Sequence, residues 1–89
     1  MKSGLLDVRV TASPSSCARV GIVVPKYGHI IVDRNRLRRR IREIVRLRVL
    51  PVLLSVPPMD VLFRALPRAY SASFEVLERE IDGIVARIT

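Results

Sequence analysis

The hydrophobic periods along these 89 residues predict an α+β fold of order β-β-α-β-α, a small sheet packed with two helices. Three observations carry the prediction. "LLDVRVTA" (5–12) alternates at a period of two, "RNRLRRRIREIV" sets Leu37, Ile41, Ile44 and Val45 on one helical stripe, and "FEVLEREIDGIVARI" (74–88) repeats that helical spacing. The length suits one domain, 1–89, near the small end of what folds alone. Hydrophobic residues make up 49% but aromatics only 4%, so Val, Leu and Ile must build the core.

The first strand shows Val8 and Val10 to one side and Asp7, Arg9 and Thr11 to the other. "SPSS" (13–16) is a turn cluster. "ARVGIVVP" (18–25) is β-branched and nearly all apolar, and reads as a central strand ended by Pro25. "KYGH" turns the chain into the arginine-rich helix, where Asp33 serves as N-cap or first-turn acid and Pro51 sets a limit near Leu50. "VPP" (56–58) is a linker, and "MDVLFRALP" (59–67) is a strand stopped by Pro67. "RAYSAS" is a loop with Ser73 as the N-cap of the closing helix. Phe74, Leu77, Ile81, Ile84, Val85 and Ile88 form that helix's apolar stripe, and Glu75 and Glu78 lie toward its positive end.

Charge narrows the function. The net charge is +8, and residues 34–48 alone hold eight arginines against Glu43. Residues 71–89 are mildly acidic, with four acids against Arg79 and Arg87. A basic block beside an acidic tail points to a polyanion touching one face. The longest apolar stretch, "VLPVLLSVPPM", is short and broken by prolines, so no membrane partner is expected. "MKSGLLDVRV" has no long apolar run of a signal peptide, and a lone Cys17 fits a reducing, cytoplasmic setting. Cys17 reads as a strand-edge or core thiol. His29 has no second histidine and no paired carboxylate beside it in sequence, and reads as a loop residue rather than a catalyst. The acids Asp7, Asp33 and Asp60 are spread along the chain, so neither catalytic nor metal-binding residues are assigned. Tyr27 reads equally as a base-stacking ring or a packing anchor.

At 100° per residue, Arg39, Arg42 and Arg46 lie opposite the apolar stripe with Asn35. Arg36 and Arg40 lie on one flank, Arg34 and Arg38 on the other. A merely solvated basic face would interleave glutamates at i,i+4, and only Glu43 is present. Guanidinium suits phosphate because its planar fork binds oxygens in pairs and also stacks on bases. Asn35 adds a donor and an acceptor for a base edge or a ribose hydroxyl. Lys26, with Arg19 and Arg9, is a candidate extension of this surface.

"RNRLRRRIRE" (34–43) resembles the arginine-asparagine-arginine signature of the bacterial ribonuclease P protein subunit, matched by Arg34, Asn35, Arg36, Leu37, Arg38, Arg39, Arg42 and Glu43. "RVGIVVPKYGHIIV", "DVLFRALP" and "SFEVLEREI" resemble that family's central strand and turn, last strand and closing helix, so the resemblance covers about residues 4–88. It implies a fold like the second domain of ribosomal protein S5, with a left-handed β-α-β crossover, the rare hand. It further implies binding to the catalytic RNA of ribonuclease P, an endoribonuclease that removes the 5′ leader of precursor tRNA. The RNA is the catalyst and requires Mg2+, while the protein binds no cofactor and takes no small-molecule substrate. Arg34, Asn35, Arg36, Arg38, Arg39, Arg42, Arg46 and Lys26 are the implied RNA-binding residues. Family members usually begin with a basic helix and another strand, and carry aromatics along a leader cleft. Here the sequence starts almost directly on "LLDVRVTA", which has no aromatic, and Leu66 stands where an arginine commonly precedes the strand's proline. Weak leader contact is therefore expected. Two other readings stay open: a basic module for DNA or another structured RNA without a processing role, and a nuclease in its own right.

Overall fold

The computed structural model describes residues 1–14 and 16–88. Its order is β1 (Leu6–Ala12), β2 (Arg19–Val23), α1 (Ile31–Ile44), a π turn (Val45–Val49), α2 (Leu50–Leu53), β3 (Met59–Ala65), a 3-10 turn (Pro67–Ser71) and α3 (Phe74–Ile88). The expected β-β-α-β-α plan is present, with a break inside the first helix.

The three strands lie in the order β1-β3-β2. β3 pairs antiparallel with β1, Leu6 opposite Ala65, and parallel with β2, Arg19 opposite Asp60. The expectation that 18–25 forms the central strand is therefore corrected: β2 is an edge and β3 is the centre. Its apolar run has another cause. Val20 and Ile22 pack against the core, while Gly21 and Val23 point to the other face. There a Cβ on Gly21 would meet Leu62 Cδ1 at 3.0 Å, so glycine leaves room for the leucine of the neighbouring strand.

All helices pack on one side of the sheet. Leu6 and Val8 of β1 and Val61, Phe63 and Ala65 of β3 are buried with Leu37, Ile41 and Ile44 of α1 and Leu77, Ile81 and Ile84 of α3. Each large side chain so buried is worth roughly 1.5–3 kcal/mol. Val10 continues the inward side of β1 but stays exposed, on a strand at the edge of the sheet. Cys17 is exposed in the turn before β2, so it is not a core thiol. Glu80 of α3 accepts hydrogen bonds from Ser3 Oγ at 2.5 Å and Leu5 N at 3.3 Å, tying the first residues to the last helix. Ser73 caps α3 by accepting a bond from Val76 N at 3.3 Å.

The first helix does not stop at Leu50. Proline lacks an N–H, and its ring clashes with the carbonyl four residues back. Here the turn before Pro51 widens: Leu50 N bonds Val45 O, five residues back, and the helix continues to Leu53. At its start, the second of the two roles expected for Asp33 is the one found. Ile30 holds the N-cap position without a side-chain bond, and Asp33 is a first-turn acid.

Candidate nucleic-acid interface

α1 is entered through a reversal in which Tyr27 has φ +47° and Gly28 φ +83°. Gly28 suits that region, while a tyrosine there costs about 1–2 kcal/mol. Tyr27 is held by its hydroxyl, which donates to Ala65 O at 3.1 Å, and by an edge-to-face contact with Tyr70. Tyr70 in turn donates to Pro25 O at 2.6 Å, and burial pushes its phenol up from the ordinary value. These bonds fix where the helix begins.

On α1, Leu37, Ile41 and Ile44 are buried as the stripe requires, and Asn35, Arg36, Arg39 and Arg42 are exposed. Asn35, Arg38, Arg39 and Arg42 share one shallow groove of about 300 Å³. Arg38 is half-buried, and its Nε is enclosed without a hydrogen-bond partner. Arg34 is also half-buried and donates from Nε to Val24 O at 2.8 Å. Arg46 is drawn to Glu43 in a two-point contact, Nη2 to Oε1 at 2.7 Å and Nε to Oε2 at 3.3 Å. That hydrogen bond holds the Glu43 carboxyl below the usual carboxylate range. Arg48 faces the acids of α3, Glu78 at 3.5 Å and Asp82 at 4.0 Å. The acidic tail thus occupies the far end of the arginine run. Among the described residues, Arg36, Arg38, Arg39, Arg40 and Arg42 have no carboxylate partner within 4.0 Å. Five guanidiniums within two turns repel one another at i,i+3 and i,i+4. An ordered row of phosphates offsets that repulsion.

Lys26 is exposed in the loop before α1. Arg19 is held by Asp60 through bonds of 2.8 and 3.0 Å on the opposite side of the sheet, so its charge is matched there. Arg9 is exposed on that same side.

Two features of the basic face were missed in the sequence. Phe74, expected in the core stripe, is 36% exposed and lines a groove with Arg36, Arg39, Arg40 and Glu43. His29 does meet a carboxylate, Asp33, at 3.6 Å from Nδ1, and its ring lies parallel to that of Tyr70. The i,i+4 spacing of His29 and Asp33 was the available signal. Nothing local signalled the contact with Tyr70.

No group of three or more His, Cys, Asp or Glu among the described residues is placed to hold a metal ion. Nor is any described helix long and apolar enough to cross a membrane.

Comparison with known proteins agrees with this architecture. The Ribonuclease P family model matches residues 2–89. The ribonuclease P protein component of Beutenbergia cavernae is 43% identical over 73% of this chain and 52% of its own length. That of Micrococcus luteus is 38% identical over 91% of this chain and 61% of its own length. This chain thus spans about half to three fifths of the length of these relatives. The Staphylococcus aureus RNase P protein superposes with a TM-score of 0.82 over 100% of this chain and 79% of its own, at 18% identity, a likeness of fold. With its family model aligned nearly end to end, and its arginine-asparagine-arginine stretch exposed on a helix beside a three-stranded sheet, this chain belongs to the ribonuclease P protein family.

Proposed function

We propose that this chain acts as the protein subunit of ribonuclease P, binding the catalytic RNA through α1 and assisting removal of the 5′ leader from precursor tRNA. The observation that carries this reading is the row of guanidiniums without carboxylate partners on α1, set within the family's motif. Arg34, Asn35, Arg36, Arg38, Arg39, Arg42 and Arg46 face the RNA phosphates and sugars, and Lys26 extends the contact from the loop. Arg46 must first be released from Glu43.

The protein's part is electrostatic. Fixed cations on a rigid helix replace diffuse counterions along the RNA and lower the Mg2+ that the RNA needs to fold and cleave. In this reading no general base or metal ligand is assigned among the described residues, and the reaction takes place in the cytoplasm, on the RNA. The rival reading, a major-groove DNA module, lacks support in the fold. α1 runs through the π turn into α2, and the next helix follows only after β3, so no short helix-turn-helix is formed among the described residues.

The test is reconstitution. The chain is mixed with a bacterial ribonuclease P catalytic RNA, and cleavage of precursor tRNA is followed at low Mg2+. Acceleration over the RNA alone is expected. No binding to that RNA, with equal affinity for duplex DNA, would sink the proposal.

A further inference from the structure

We propose that the groove between the start of α1 and the 3-10 turn holds one unpaired nucleotide of the bound RNA, its base stacked on the His29 imidazole and its phosphate against Arg36 and Arg40. The proposal rests on the RNA-binding reading above and names a subsite within it.

The groove measures about 410 Å³ and is lined by His29, Asp33, Arg36, Arg40, Tyr70 and Ser73 among others. That volume falls within the range of small-ligand sites, about 300–1,000 Å³. Its floor carries a built aromatic plate. The His29 and Tyr70 rings lie 3.8 Å apart between centroids and 1° from parallel. Tyr70 is held behind the imidazole by its bond to Pro25 O at 2.6 Å and by its perpendicular contact with Tyr27. His29 is held in front by its backbone N, which donates to Lys26 O at 2.8 Å, and its Nδ1 lies 3.6 Å from Asp33 Oδ2. The His29 side chain keeps 40% of its surface open to solvent. Tyr70 covers one face of the ring, which leaves surface for a second flat group. Folding has already ordered this plate, so little further ordering opposes stacking.

Charge sets the polarity of the occupant. The Asp33 carboxylate sits at the aromatic end and turns phosphate away from it. Arg36 and Arg40, about one and two turns further along α1, have no carboxylate partner among the described residues and take the phosphate. An anion alone would need only the arginines, and a duplex offers no free base face to the plate. A single unpaired nucleotide uses both ends. The same two arginines also line the neighbouring groove with Phe74, so the strand leaving the pocket passes over guanidiniums toward a second exposed ring.

The experiment titrates the full chain into a short single-stranded RNA carrying 2-aminopurine, whose fluorescence falls on stacking. Quenching is expected. His29→Ala should weaken binding of this probe by about 5- to 150-fold, the range of one lost base–aromatic stack, and abolish the quench. His29→Phe should restore both, because it keeps the plate and discards the imidazole nitrogens. If His29→Ala binds and quenches like the unaltered chain, the pocket is wrong. The same follows if His29→Phe behaves like His29→Ala. A parallel titration of the unaltered chain with ribonuclease P catalytic RNA separates the two claims. Failure there, with the quench intact, overturns the subunit reading and leaves the pocket standing. Tight binding there, with His29→Ala indistinguishable on the probe, overturns the pocket alone.

Discussion

Arg34 is joined through Nε to the carbonyl of Val24 at 2.8 Å, so the first arginine of the basic helix is anchored to the end of the neighbouring strand. Val24 is buried, and its carbonyl has few other routes to a donor. The bond ties the start of α1 to the residue that follows β2, and it leaves the two terminal nitrogens of Arg34 for the proposed RNA contact. A lysine has no planar fork to serve both ends. Arg34→Lys should therefore lower stability by about 1 kcal/mol, read from the urea midpoint, as well as weaken RNA binding. Arg39→Ala, on the exposed face, should not lower the midpoint, since it removes one of the repelling charges. Equal midpoints for both variants would show that the Val24 bond contributes nothing.

The outer face of the helix should behave differently. Arg39 and Arg42 share a shallow groove and have no carboxylate to release. The double variant Arg39→Ala, Arg42→Ala should bind catalytic RNA more weakly. Its plot of log affinity against log salt should flatten by roughly one unit per lost phosphate contact. An unchanged slope at low salt would remove these two residues from the interface.

In the proposed complex, Glu43 competes with RNA for Arg46. Its carboxyl is held below the usual range chiefly by the hydrogen bond from Arg46, so the pair persists at neutral pH and is lost as pH falls through that lowered value. Glu43→Gln removes the carboxylate outright. Its RNA affinity should exceed that of the unaltered chain at neutral pH, with a steeper salt dependence. The difference should shrink on acidification, as the unaltered glutamate takes up its proton. A constant difference across the titration would mean that Arg46 is not the residue released.

Much of this arrangement was legible in the sequence, wherever a local period decided the outcome. The closing helix spans 74–88 as its stripe predicts, and the arginine helix buries Leu37, Ile41, Ile44 and Val45. What depended on distant partners was not legible. The run at 18–25 looked central because both its faces are apolar, yet Gly21 and Val23 lie on the open side beside Leu62. Pro51 looked like a stop, but a π turn absorbs it and carries the helix to Leu53. Phe74 has the period of a core residue, but it sits at the first position of its helix, past the edge of the core. The stack of His29 on Tyr70 joins two loops far apart in the chain, and no local pattern encodes it.

The proposed division of labour between protein and RNA gives a further prediction. The protein alone should cleave nothing, since it brings fixed charge and no assigned catalyst. With the catalytic RNA it should raise the rate at low Mg2+, and the gain should fade as Mg2+ rises, because added cations replace what the arginines supply. RNase activity in RNA-free protein that disappears in His29→Ala would reverse this assignment and make the histidine a catalyst.

The open face of the sheet yields the last prediction. It shows Asp7, Arg9 and Thr11 from β1, Asp60, Leu62 and Arg64 from β3, and Arg19, Gly21 and Val23 from β2. No aromatic stands among these described residues, and Arg19 is bound to Asp60, so one cation is already matched. Base–aromatic stacking is worth about 1–3 kcal/mol per base, more than an exposed cation supplies in salt. This face should therefore add little to the grip on a single-stranded 5′ leader. Placed on the catalytic RNA, the chain should bind precursor tRNA and mature tRNA with nearly equal affinity. Leu62→Phe tests the reason behind that expectation. Leu62 is 38% exposed at the centre of the face, so a ring there stays open to a base. The change should raise the preference for precursor by about fivefold or more, and the gain should vanish when the leader is shortened. If the unaltered chain already prefers precursor by a large factor that depends on leader length, the sheet reads the leader without rings, and its grip comes from Arg9, Arg64 and the exposed backbone of the face.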